Sequence, residues 1–162
     1  MRIAISGSEG FLGKALQSKL HNDKTVELIC IDKKNGLDLT DPSVLDQIPG
    51  FDVFVHLAAL SYVPDSYNSP YAFYRVNLNA TLAALELCRL NKAKMIFLSS
   101  YVYGKPKYLP VDEEHPVCAF NPYAQTKLIG EAICEGFYKD FGVPCIILRP
   151  FNIYGPGQNN LF

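Results

Sequence analysis

The sequence predicts an α/β fold, a doubly wound parallel sheet, and three observations predict it. Short apolar runs alternate along the chain with longer stretches of helical periodicity, which implies right-handed crossovers between parallel strands. The first run, Ile3-Ala4-Ile5, breaks into a turn with glycine at positions 7, 10 and 13, and that turn opens an amphipathic helix. The segments of unusual chemistry, 7–13, 32, 57–59, 99–104 and 149–157, each follow an apolar run. In open sheets of this class, ligands bind at those carboxyl ends of the strands.

Bulk properties narrow the reading. With 162 residues, 49% hydrophobic and 19% charged, the chain makes one domain, 1–162, with a real core. The net charge of -1 and the lack of a basic run argue against a nucleic-acid partner. No apolar run is long enough for a bilayer, so no membrane partner is expected. The first strand begins at once, without a charged-then-apolar leader, and the expected location is cytoplasmic. The five cysteines form no C-x-x-C pair and are expected as reduced thiols, not disulfides or metal ligands.

At the first turn, backbone N–H groups at a helix N-terminus and the helix dipole favour an anion, most often phosphate. Gly7 permits the tight turn, Gly10 lets a pyrophosphate approach the backbone, and Gly13 lets the helix pack on the strand. The spacing is G-x-x-G-x-x-G, and taken alone it fits a plain glycine-rich turn equally well. A second strand, 26–31, ends at Asp32, 19 residues after Gly13. An acid there accepts hydrogen bonds from the adenine ribose and repels a 2′-phosphate, which favours NAD, although Lys33 and Lys34 leave NADP open. Asp38-Leu39-Thr40-Asp41 is expected as a short third strand, and Asp41-Pro42 caps a small helix.

The fourth strand and its exit run from Phe51 to Ala59. Ala58 and Ala59 are small enough for a flat ligand to lie against the backbone, and His56 on an apolar strand is expected as a satisfied core residue. A polar loop, 62–70, precedes a long helix, 71–90, with apolar residues at helical spacing. The fifth strand, 95–98, ends in Ser99-Ser100-Tyr101-Val102-Tyr103-Gly104. A loop rich in proline and acid, 105–120, leads to a helix, 122–141, that carries Tyr123 and Lys127. The sixth strand, 144–149, opens into the loop 150–157.

Tyr123 and Lys127 are four residues apart and share a helix face. A free phenol has a pKa of about 10 and is a poor base at neutral pH. An ammonium ~4 Å away at an effective dielectric of ~20 is worth at most roughly 4 kcal/mol to the phenolate. That interaction is able to lower the phenol by up to ~3 pH units. Such a phenolate takes a proton from an alcohol while hydride leaves the same carbon, and Ser99 would hold the hydroxyl. A Tyr and a Lys at this spacing also occur by chance; the phosphate turn, the ribose acid and the strand-end serine decide for the catalytic reading.

On these motifs the whole chain resembles the extended branch of the short-chain dehydrogenase/reductase superfamily, in particular the NAD-dependent sugar-nucleotide epimerase/dehydratase family. The resemblance rests on Gly7-x-x-Gly10-x-x-Gly13, Asp32, Asp38-Leu39-Thr40-Asp41, His56-Leu57-Ala58-Ala59, Asn77, 99–104, Tyr123-x-x-x-Lys127 and Arg149-Pro150-Phe151-Asn152-Ile153-Tyr154-Gly155-Pro156-Gly157. It implies a Rossmann domain with the NAD pyrophosphate on Gly7–Gly13 and backbone contacts from Phe11 and Leu12. It further implies ribose on Asp32, adenine near Asp38 and Leu39, and cofactor along Leu57, Ala58 and Ala59. Ser99, Tyr123 and Lys127 match the family's catalytic residues, with Tyr123 and Lys127 also touching the cofactor. Ser99 is chosen because it lies five residues before Gly104, and Ser100 and Asn152 fall to the nucleotide-sugar. A homodimer through helices 71–90 and 122–141 is implied as well.

Two departures refine the expectation. Dehydratases and decarboxylases of this type carry an acid between the catalytic Ser/Thr and Val-Tyr-Gly, where this chain has Ser100 and Tyr101. Elimination needs that second proton-transfer group, which argues for an epimerase or reductase; the expected activity is epimerisation of a nucleoside-diphosphate-sugar at C4. A keto-sugar reductase or dehydratase is the alternative, as is an inactive nucleotide-binding fragment. The resemblance also implies a smaller substrate-binding domain beyond Phe162, so the chain reads as truncated ahead of it. Without that domain the pocket lacks closure and water exclusion.

Overall fold

The computed structural model describes residues 1–158. Five strands form one parallel sheet: β1 (Arg2–Ser6), β2 (Glu27–Ile31), β3 (Val53–His56), β4 (Lys94–Leu98) and β5 (Cys145–Leu148). Their order is β2-β1-β3-β4-β5, so the chain moves outward from β1 to β2 and then returns to the other side for β3. That reversal leaves a crevice between the carboxyl ends of β1 and β3, where open α/β sheets take ligands.

Side chains along the inner strands alternate between two cores. Ile3, Ile5 and Val55 face α1 (Phe11–Leu20) and pack with Leu16 and Leu20. Ala4, Phe54, Met95 and Phe97 face the opposite layer and pack with Leu85, Cys88 and Cys134. That layer consists of α3 (Pro70–Asn91) and α4 (Pro122–Phe141), which also lie against each other. On the α1 side of β5, Ile146 and Leu148 remain exposed.

Local chemistry sets the limits of α4. The Asn121 side chain accepts from Ala124 N–H at 2.7 Å, Pro122 occupies the first turn, and Gly142 ends the helix in the left-handed region with φ 69°. The expected helix 122–141 therefore stands.

Two expectations are corrected. Residues 38–41 pair with no strand. The Asp38 carboxylate instead accepts from Thr40 N–H at 2.9 Å and from its hydroxyl at 2.8 Å, closing a local turn that withdraws the backbone from a ladder. The following segment, Pro42–Gln47, is a 3-10 helix capped by Asp41, whose carboxylate accepts from Ser43 N–H. The polar stretch before α3 contains a short helix, α2 (Val63–Asn68), begun by Pro64 and held by a Ser66 hydroxyl bond to Val63 O. The five cysteines are free thiols, with Cys88 and Cys134 buried. No helix among the described residues is long and apolar enough to cross a membrane.

Candidate active site

The first βα turn is shaped by close backbone approaches. Gly7 has φ +69°, and a Cβ there would stand 2.9 Å from Ala58 N at the exit of β3. A Cβ on Gly13 would meet Ser8 Cα and O at 2.7 Å and the Gly7 carbonyl closer still. The turn thus sits against both its own helix, as expected of Gly13, and the exit of the neighbouring strand. No side chain caps α1, and its first turn holds no acid. The leading N–H groups of a helix have no intrahelical acceptor, so this end suits a diphosphate.

Asp32 closes the same corner. One carboxylate oxygen accepts from Glu9 N–H at 3.0 Å and the other from Lys34 N–H at 3.0 Å. The negative charge is held at the end of β2, beside the phosphate turn. These residues border one cavity of about 770 Å³ that runs across the carboxyl edge of the sheet. Gly7, Gly10, Phe11, Leu12, Gly13, Asp32, Asp38, Leu39, Leu57, Ala58 and Ala59 line one part of it, and Ser99, Ser100, Tyr123, Lys127 and Asn152 line the rest. The residues singled out for phosphate, ribose, adenine, nicotinamide and sugar therefore share one continuous space, and their chemistry fits a dinucleotide there.

His56, as expected, is a satisfied core residue. It is fully buried, its Nδ1 pairs with the Ser6 hydroxyl at 2.8 Å, and its Nε2 lies 3.3 Å from the Thr81 hydroxyl. Burial, helped by the charge of Lys127, pushes the imidazole down to about 3. The Ser6 hydroxyl in turn receives N–H bonds from Leu57 and Ala58, which fixes the exit of β3. Asn77 ties this edge to α4: it bonds both backbone groups of Leu60 and donates to the Thr126 hydroxyl at 2.9 Å.

Tyr123 and Lys127 do share a helix face, but their electrostatics differ from the sequence expectation. The buried Lys127 ammonium donates to Leu98 O at 2.8 Å and stands 5.0 Å over the Phe97 ring and 6.0 Å from the Tyr123 ring centre. Burial lowers Lys127 to about 8, against the opposing charge of Glu131. The Tyr123 phenol lies above its ordinary 10.0, because burial outweighs its hydrogen bond with Ser100. The expected lowering is absent, since the ammonium gives a donor to a carbonyl and sits back from the phenol.

The two serines at the end of β4 also divide differently from the expectation. Ser99 is 2% exposed and its hydroxyl donates to Glu131. Ser100 is the serine whose hydrogen bond opposes the rise of the Tyr123 phenol. Counting back from Gly104 selects Ser99, but its hydroxyl is taken up by Glu131, a residue 32 positions further along the chain. Asn152 is exposed at the cavity mouth. Glu131, which sequence reasoning passed over, and Arg149, which it named only as part of a motif, form a bidentate ion pair behind the serines, with Nη2 to Oε2 at 2.6 Å. A glutamate four residues after a buried lysine on one helix face was the signal available for the first of them.

Comparison with known proteins agrees with this geometry. The profile of the NAD dependent epimerase/dehydratase family matches residues 3–162. The chain is 34% identical to an uncharacterized UDP-glucose epimerase of Bacillus subtilis, over 98% of this chain and 58% of that protein. It is 33% identical to the GDP-6-deoxy-D-mannose reductase of Pseudomonas aeruginosa, over 99% of this chain and 55% of that protein. Among solved structures, RMD from Pseudomonas aeruginosa complexed with NADPH superposes with a TM-score of 0.91 at 32% identity, covering 100% of this chain and 58% of that one. The UDP-glucose 4-epimerase of Thermus thermophilus in complex with NAD gives 0.88 at 26% identity, covering 98% and 58%. The chain thus spans just over half the length of these relatives. The matched profile, the parallel sheet and the cavity at its switch point agree, and the chain belongs to the NAD dependent epimerase/dehydratase family.

Proposed function

We propose that this chain is the NAD-binding domain of a cytoplasmic nucleoside-diphosphate-sugar epimerase acting at C4. The observation that carries this reading is that the Tyr123–Ser100 pair and the Gly7–Gly13 turn with Asp32 line one cavity. In it the α1 N-terminus would hold a diphosphate and Asp32 the adenine ribose, with Ala58 and Ala59 lying along the cofactor. Bound there, NAD supplies the site that accepts and returns a hydride. Ser100 orients the substrate hydroxyl towards Tyr123, and Tyr123 accepts its proton as general base. Lys127 gives one of its three donors to Leu98 O, and the other two would be available to the nicotinamide ribose. Ser99 supports this hydroxyl pair from behind through Glu131, and Asn152 contacts the nucleotide-sugar at the mouth.

The test is made on the whole protein with UDP- and GDP-hexoses. Tyr123→Phe should abolish turnover while NAD affinity stays within about twofold. Turnover retained by that variant refutes the base assignment. Epimerisation should consume no NAD; stoichiometric loss of reduced cofactor indicates instead a keto-sugar reductase. That second reading is favoured by the similarity to the reductase of Pseudomonas aeruginosa. The proposal includes a homodimer through α3 and α4, whose outer faces expose Leu82, Leu90 and Tyr138. Light scattering of the purified protein decides it, and a monomer at micromolar concentration rules it out.

A further inference from the structure

Glu131 lies one turn beyond Lys127 on α4, and its side chain is 5% exposed. Its carboxylate gathers two partners from different strand ends. The Ser99 hydroxyl at the exit of β4 donates to Oε1. Arg149 at the exit of β5 donates from Nε to Oε1 and Oε2 at 3.0 and 3.2 Å, and from Nη2 to Oε2 at 2.6 Å. Arg149 is itself held, with Nη1 3.4 Å from the Tyr103 hydroxyl and its guanidinium 5.3 Å over the Tyr103 ring. Burying such a pair brings stability no better than apolar side chains of the same volume would. A planar fork on a carboxylate does fix relative orientation in two directions. Holding the Ser99 hydroxyl on Glu131 fixes the backbone at the exit of β4, and with it the place of the next residue, Ser100. Anchoring Arg149 likewise sets the start of the loop that carries Asn152 to the same cavity.

We propose that Glu131 is a positioning residue for the reaction: it clamps Ser99 and Arg149 together, and so aims Ser100 at Tyr123 and seats Asn152. The inference rests on the catalytic reading of Tyr123 given above. It is tested in the whole protein with Glu131→Gln, which keeps the shape and loses the charge, with Ser99→Ala, and with both together. Tyr123→Phe serves as the control. Because a misplacement of ~1 Å in a catalytic group costs up to about 100-fold, we expect kcat to fall roughly tenfold in each single variant. NAD affinity should stay within about twofold, and the double variant should be no slower than Glu131→Gln alone, as for groups acting through one contact. A purely structural role predicts a lower melting temperature with kcat per folded molecule unchanged, and that result overturns the proposal. If Glu131→Gln does not fold, Ser99→Ala decides, since it removes one hydroxyl only; unchanged kcat again overturns it. If Tyr123→Phe stays active, the catalytic reading fails and this inference with it. If Tyr123→Phe is dead and the clamp variants run at the wild-type rate, this inference alone fails.

Discussion

Glycine-to-alanine substitutions inside two helices should change stability in opposite directions. Gly13 in α1 and Gly136 in α4 both carry the entropic cost of a glycine in a helix, and alanine recovers up to about 1 kcal/mol at either site. At Gly136 nothing lies within 4 Å of the added methyl, so the gain is kept. Stability should rise by ~0.5–1 kcal/mol, or roughly 1–4 °C in Tm for a chain of this size. At Gly13 the same methyl meets the Gly7 carbonyl and the Ser8 backbone at 2.7 Å or less, and backbone cannot rotate away. Overpacking of this kind costs typically about 1–3 kcal/mol. Three backbone clashes place it at the upper end, so the net loss is ~2 kcal/mol and the drop in Tm roughly 4–8 °C. The helix start must also lift from the turn, which should weaken NAD binding at least about tenfold, while Gly136→Ala leaves it unchanged. Calorimetric melting and isothermal titration with NAD measure both. A Gly13→Ala chain that melts higher than the parent, in step with Gly136→Ala, refutes the close approach on which the proposed phosphate site depends.

Other outcomes follow from the same geometry. His56 titrates at about 3 when folded against 6.5 when unfolded, so the unfolded chain binds the extra proton between those values. The stability associated with His56 is complete above pH 6.5 and is lost as pH falls towards 3, by at most about 1.4 kcal/mol per pH unit. Urea midpoints of wild type and His56→Asn should therefore lie closer together at pH 5 than at pH 7; equal differences at the two pH values disprove the buried neutral imidazole. At the ribose corner, Asp32→Asn removes the charge held beside Glu9 N–H and should shift the NAD to NADP preference at least about tenfold towards NADP. A competition titration with the two cofactors reads the ratio, and an unchanged ratio excludes Asp32 as the discriminating group.

Much of the architecture was legible because its signals are local. Strand and helix periods, the Asn121-Pro122 start and Gly142 stop of α4, and the glycine turn after β1 each depend on neighbours a few residues away. The same locality explains the failure at 38–41, where an aspartate two residues before a threonine supplies its own hydrogen bonds and a strand does not form. A core role for His56 was readable from its apolar strand, but the partners that satisfy it, Ser6 and Thr81, come from distant parts of the chain.

The sequence by itself determined that this protein builds a parallel sheet with a glycine-rich turn after the first strand, an acid at the end of the second, and a Tyr-x-x-x-Lys pair on a long capped helix. Only the tertiary structure decided which serine faces the tyrosine, that burial raises the phenol when a neighbouring charge was expected to lower it, and that Glu131 and Arg149 lock two strand ends together. The division has one physical cause. Backbone propensity is set by adjacent residues, whereas the direction of a side chain, its desolvation and its ion-pair partner are set by groups that become neighbours only after the chain has closed on itself.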